Sequence, residues 1–142
     1  MNLNPDRIRS KLQDISRAVD RLKALRGLEE HEFLSDEDSQ DIARARLLTA
    51  MEASLNLCYH LCAKKLKKVP ENYAQCFHLL SEAGLISSGL GSRLSAMAGL
   101  RNRLVHMYWD VDYRQIYRII SNNLEDLERF SREIVQLERG LS

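Results

Sequence analysis

Arg101, His106 and Tyr108 are the residues of this chain whose types and spacing could do chemistry. They lie in the run Arg101-Asn102-Arg103-Leu104-Val105-His106-Met107-Tyr108, within a window that holds no Asp or Glu between Glu82 and Asp110. The chain as a whole sets 21 Lys and Arg against 20 Asp and Glu, so a carboxylate-free window of that length is distinctive. Arg93, Arg101, Arg103 and the single Trp, Trp109, also fall within it. A guanidinium is a planar, permanently charged fork that suits phosphate, and imidazole exchanges its proton near neutral pH. Held together where no carboxylate occupies the arginine, the two groups suit work on a phosphodiester.

The spacing sets a geometric condition. On a regular helix Asn102 and His106 share one face, and Arg101 and Tyr108, seven apart, share another. Arg101 and His106 are separated by about 140° of rotation. They converge only if the helix loosens at His106, or if a second copy of the chain supplies the complement across a two-fold axis.

The elements that must position these residues read as helices throughout. Asn4 caps and Pro5 opens a first helix, whose narrow apolar stripe is Ile8, Leu12, Ile15, Val19 and Leu22, and Gly27 ends it. The acidic stretch around Glu29 to Asp38 reads as a loop leading to Ser35 or Asp36 as the next cap. A second helix is expected from about Asp38 to Lys67, apolar on more than one side through Leu47, Leu48, Met51, Leu55, Leu57, Cys58, Leu61 and Cys62, and therefore central or shared with a partner. Glu52 sits within that apolar surface and calls for an arginine partner. A third helix spans about Asn72 to Ala83, with Gly84 beyond it. A fourth carries Leu90, Leu94, Met97, Leu100, Leu104 and Val105. Asp112 with Gln115 forms a capping-box pattern for a fifth, which runs through Ile116, Ile119, Ile120, Leu124, Leu127, Phe130, Ile134 and Leu137. With no alternating stretch for a strand, the expectation is an all-α, five-helix up-down bundle, one domain over residues 1–142, and a homodimer.

Composition narrows the function classes. No apolar run approaches the roughly 18 residues of a membrane span, and no apolar h-region follows Met1, so no membrane association is expected. The net charge of +1 is too small for a general nucleic-acid coat, but its distribution is polar. Seven basic residues face three acidic ones between Asp6 and Arg26, Lys64, Lys65, Lys67 and Lys68 cluster, and seven carboxylates with no Lys or Arg fill Glu29 to Asp41. Such poles steer an anionic ligand to one face. Cys58, Cys62 and Cys76 fall in helix interiors and read as buried structural thiols without a disulfide framework, which points to a reducing, cytoplasmic setting. His60 points away from the cysteines on a helix, and His31 reads as solvated. The chain has no phosphate loop, no HExxH and no paired-carboxylate motif, so neither a metal nor a cofactor is expected.

The pattern Arg-x4-His-x-Tyr, here Arg101, His106 and Tyr108, resembles the signature of the HEPN superfamily. More narrowly it resembles the HepT-like toxins encoded beside a minimal nucleotidyltransferase. The resemblance extends over Ala50–His60, over Val69–Phe77 with Leu80 and Gly84–Ile86, and over Arg101–His106 followed by Tyr108, Val111 and Asp112, covering about residues 40 to 135. It implies a homodimeric α-bundle whose motif helices meet across a cleft. It also implies metal-independent cleavage of an RNA substrate, with the 2′-hydroxyl attacking the adjacent phosphate. In that reading His106 transfers protons, Arg101 holds the phosphate, Asn102 orients the imidazole, and Tyr108 accepts AMP from the nucleotidyltransferase antitoxin. Two other readings remain at this point: a non-catalytic module that binds nucleotide or the partner, and a dimerising scaffold whose Arg101 only pairs with Glu52.

Overall fold

Local capping chemistry places the starts of most helices. The structure, a computed structural model, describes residues 3–140 and, of Tyr108, the backbone alone. Among the described residues there are eight α-helices and no strand: α1 (Pro5–Lys23), α2 (Glu30–Leu34), α3 (Glu37–Leu61), α4 (Tyr73–Glu82), α5 (Ser88–Ala98), α6 (Arg101–His106), α7 (Tyr113–Asn122) and α8 (Leu124–Gly140). The Asn4 side chain accepts from the amides of Asp6 and Arg7, Asp36 from that of Asp38, and Asn72 from that of Gln75. Asp112 caps α7 through the amide of Arg114. These bonds satisfy donors that a helix N-terminus otherwise leaves open.

The architecture departs from five helices at four places. The acidic stretch is not a plain loop: Glu29 and Glu32 form a reciprocal capping box around α2. The short helix buries Phe33 against the rings of Tyr113 and Tyr117, at 6.3 and 5.6 Å between centroids. The second expected helix ends as α-helix at Leu61 and widens into a π-turn over Cys62–Leu66, closed by Lys67 in the left-handed region at φ 55. The fourth is interrupted at Gly99 and Leu100, where the Leu100 amide turns to the Met97 carbonyl at 3.0 Å. A glycine weakens the helix there, and the turn leaves both Leu100 and Leu104 buried. The fifth is interrupted at Asn123, which leaves helical geometry at φ −122, ψ 3, and the Asp126 amide turns to its carbonyl at 3.1 Å.

Helix α3 is central as its pattern predicts, packing against α1, α2, α4, α6, α7 and α8. One apolar cluster runs from Ile8 to Ile134. Helices α4 and α5 approach closely at Gly91, where an added Cβ would lie 2.8 Å from the Cβ of Ser81. Long-range pairs fix the C-terminal helix: Lys23 with Glu128 and Arg26 with Glu125, both at 2.8 Å, and Arg93 with Asp126 at 2.7 Å. No helix is long and apolar enough to cross a membrane among the described residues.

Candidate functional site

Helix α6 presents the motif. Leu104 is buried and anchors the helix toward α3, Arg101 is half-buried, and Asn102, Arg103 and His106 are exposed. The α-helix ends at His106. Met107 leaves helical geometry at φ −135, ψ 44, and a 3-10 turn follows over Tyr108–Asp110. The expected helical register between Arg101 and Tyr108 therefore does not hold. The side chain of Tyr108 lies outside the described residues. Arg101 and His106 occupy the two ends of one short helix, about 7.5 Å apart along its axis by the helical rise. The side chains of Asn102 and His106 make no hydrogen bond to each other within the chain.

Arg101 is held from two sides. Its Nε donates to Glu52 Oε1 of α3 at 2.5 Å, and its Cζ lies 4.8 Å from the centroid of the Tyr73 ring. Tyr73 in turn meets Tyr59 edge to face at 6.1 Å. The carboxylate-free window is thus not carboxylate-free in space. Glu52, which the sequence marks as needing an arginine, takes this one. The contact engages Nε only. The two terminal amino groups of Arg101 make no hydrogen bond to a described residue, so a planar fork remains for an anion. Burial, and after it the neighbouring Tyr73, pushes the Tyr59 phenol above its ordinary range. Sequence reasoning missed Tyr59 and Tyr73. The only hint in the sequence is that they flank the lysine cluster Lys64–Lys68, and an aromatic ring can accept a cation.

The cysteines require a correction. Cys58 and Cys76 are joined as a disulfide, with Cα atoms 6.1 Å apart, where the sequence reading has free thiols. Helix α4 crosses α3 so that Cys76 meets the turn carrying both Cys58 and Cys62. Cys62 remains a buried thiol, 3.9 Å from the Cys76 sulfur, and burial pushes its pKa up. The three sulfurs lie within 4.8 Å of one another. His60 faces away from them toward the N-terminus of α1, where its Nε2 accepts the Asn4 amide at 3.1 Å. His31 and His78 are exposed.

Comparison with known proteins gives the family and the fold. A family described as "Ribonuclease HepT-like" matches residues 15–134. The mRNA nuclease HepT of Shewanella oneidensis is 29% identical over 125 residues, covering 88% of this chain and 93% of the relative. The tRNA nuclease HepT of Aphanizomenon flos-aquae is 30% identical over 134 residues, covering 94% and 90%. Among solved structures, the tri-AMPylated Shewanella oneidensis HEPN toxin in complex with MNT antitoxin superposes with a TM-score of 0.84 at 29% identity, over 96% of this chain and 99% of that one.

Proposed function

Because this chain belongs to the HepT-like ribonuclease family, we propose that it is an endoribonuclease toxin of a two-gene system, neutralised by a minimal nucleotidyltransferase antitoxin. The observation that carries the proposal is the state of Arg101: aligned by Glu52 and Tyr73, with its terminal amino groups open, on the same short helix as an exposed histidine. The similar nucleases and the toxin–antitoxin complex supply the class of substrate and partner.

The chemistry follows from the groups. His106 takes the proton of a ribose 2′-hydroxyl as its oxygen bonds to the adjacent phosphorus. The phosphorus–O5′ bond breaks, and a proton returned by the imidazole completes the leaving hydroxyl. The product is a 2′,3′-cyclic phosphate. In this reading the free amino groups of Arg101 take up the charge that builds on the non-bridging oxygens. Asn102, one turn before His106, orients the imidazole once substrate or a second subunit closes the site. No metal or cofactor enters these steps.

We place the reaction in a homodimer of single-domain chains, in the cytoplasm. The two ends of α6 are separated by rotation and rise, and Met107 and Trp109 leave apolar surface exposed beside the motif, Trp109 at 71%. A second copy there would cover that surface and bring two motif helices together. Tyr108, in the turn just after His106, is the proposed AMP acceptor. Its modification adds negative phosphate beside Arg101 and competes with RNA for the same charge. The scaffold reading has the Glu52 pair in its favour, but that pair engages one edge of the guanidinium and leaves the other available.

The test is product chemistry. Purified protein incubated with RNA in chelator-containing buffer should leave 2′,3′-cyclic phosphate ends, and sedimentation at micromolar concentration should give a dimer. A requirement for a divalent metal would overturn the mechanism, and a monomer of about 16 kDa would overturn the shared cleft.

A further inference from the structure

Beside Arg101 lies a groove of about 420 Å³, lined by Arg7 of α1, by Glu52, Tyr59 and His60 of α3, by Lys64 and by Tyr73. Glu52 and Tyr73 are the residues that hold Arg101, so the groove and the arginine share a wall. Its interior contains a hydrogen-bonding conflict. His60 is 6% exposed, and its Nε2 accepts the Asn4 amide at 3.1 Å. A ring nitrogen that accepts carries no proton, so the proton of the neutral ring is on Nδ1. Nδ1 lies 3.5 Å from Arg7 Nη1, and a guanidinium can only donate. The N–H of the buried ring and the guanidinium of the exposed Arg7 therefore face each other with no acceptor between them. The neutral ring is the favoured state, since burial first, then the charges of Arg7 and Lys64, hold His60 below its ordinary pKa.

We propose that this groove is a phosphate subsite for a nucleotide flanking the scissile bond, one oxygen accepting from both His60 Nδ1 and Arg7 Nη1. Lys64 adds positive charge at the rim. Tyr59 and Tyr73 line the same groove and give it aromatic surface for a base, a sequence-tolerant contact suited to single-stranded RNA. The carboxylate of Glu52 is already matched by Arg101 and does not repel the strand as a lone charge would. The inference rests on the ribonuclease reading for its ligand class, and it adds an anchoring point that the motif itself does not contain.

The test separates the two. Binding is measured by fluorescence anisotropy with a labelled single-stranded RNA and the full chain carrying His106→Ala, so no cleavage is needed. Arg7→Ala and Lys64→Ala should each weaken binding severalfold and lower the slope of log affinity against log salt by about 1. Arg132→Ala, an exposed residue of α8 that does not line the groove, should do neither. In the otherwise unsubstituted chain, KM for RNA should rise by a larger factor than kcat falls. Imidazole ¹⁵N spectra of the His106→Ala chain, free of any groove substitution, cover the case in which a variant misfolds: RNA should shift the His60 Nδ1–H resonance. Unchanged affinity in folded variants, or no shift with RNA, would overturn the subsite even if the chain cleaves RNA. A shift with inorganic phosphate alone, without one from RNA, would make it a free-anion site and equally overturn the proposal. Absence of cleavage by the unsubstituted chain, with groove-dependent RNA binding intact, would remove the nuclease reading and leave the groove standing.

Discussion

Glu52 and Arg101 meet across 49 positions of sequence, with Oε1 2.5 Å from Nε, and the pairing sets the plane in which the guanidinium presents its open edge. Truncating the carboxylate frees the arginine to rotate away from the phosphate. Glu52→Ala should lower RNA cleavage by roughly 10- to 100-fold, the scale on which small misplacements of a reacting group act, and mainly through kcat. Glu52→Gln keeps an acceptor and should lose less. Single-turnover cleavage at saturating RNA reads both, and an unchanged rate for Glu52→Ala would assign the ion pair to packing alone.

Tyr108 follows His106 by two positions, in the turn that ends the motif helix. Co-expression with the cognate nucleotidyltransferase should add mass in steps of one AMP, and Tyr108→Phe should abolish the gain. Neutralisation of Tyr108→Phe with no added mass would mean that the partner acts by binding.

Glu133 fixes the start of α5. Its two oxygens accept from the Ser87 amide at 2.7 Å and the Ser87 hydroxyl at 2.8 Å. Burial alone would raise its pKa, but these bonds and Arg129 outweigh it and hold the carboxyl below its ordinary value. The unfolded chain therefore binds this proton more readily than the folded one. The stabilisation is complete above the ordinary Glu value of about 4.3 and is lost as pH falls through the depressed folded value. Glu133→Gln should cost about 1.5–3 kcal/mol at pH 7, as expected for a bond to a charged group, and progressively less in acid. Urea titrations at pH 7 and pH 3 measure the difference, and an equal cost at both would contradict the assignment.

The cysteine arrangement predicts one titratable thiol per chain, Cys62, when protein purified without reductant is denatured in the presence of a thiol reagent, and three after reduction. Three thiols before reduction would show that Cys58 and Cys76 stand as neighbouring thiols in solution.

What could be read from the sequence follows the range of the interaction. The caps at Asn4, Asp36, Asn72 and Asp112 act within three residues, and each begins a helix near where the pattern places it. Helix α2 was hidden because two adjacent apolar residues, Phe33 and Leu34, among many carboxylates give no periodicity, and the burial of Phe33 depends on Tyr113 and Tyr117 from far along the chain. The interruptions at Gly99 and Asn123 are settled by packing, since neither residue forbids a helix. At the site, the apolar residues around Glu52 in the sequence called for an arginine and Arg101 supplies it, although the Glu52 side chain stays 44% exposed; Tyr73 and the bond between Cys58 and Cys76 require the docking of α4 across α3. The register from Arg101 to Tyr108 failed because it extrapolated a helix that Met107 ends.

The central claim, that Arg101 and His106 cleave RNA without a metal, is tested most directly by His106→Ala in chelator-containing buffer. The account predicts a dimer with unchanged circular dichroism and no detectable cleavage, beside an unsubstituted chain that yields 2′,3′-cyclic phosphate ends. Cleavage by the folded His106→Ala dimer at the unsubstituted rate would contradict it.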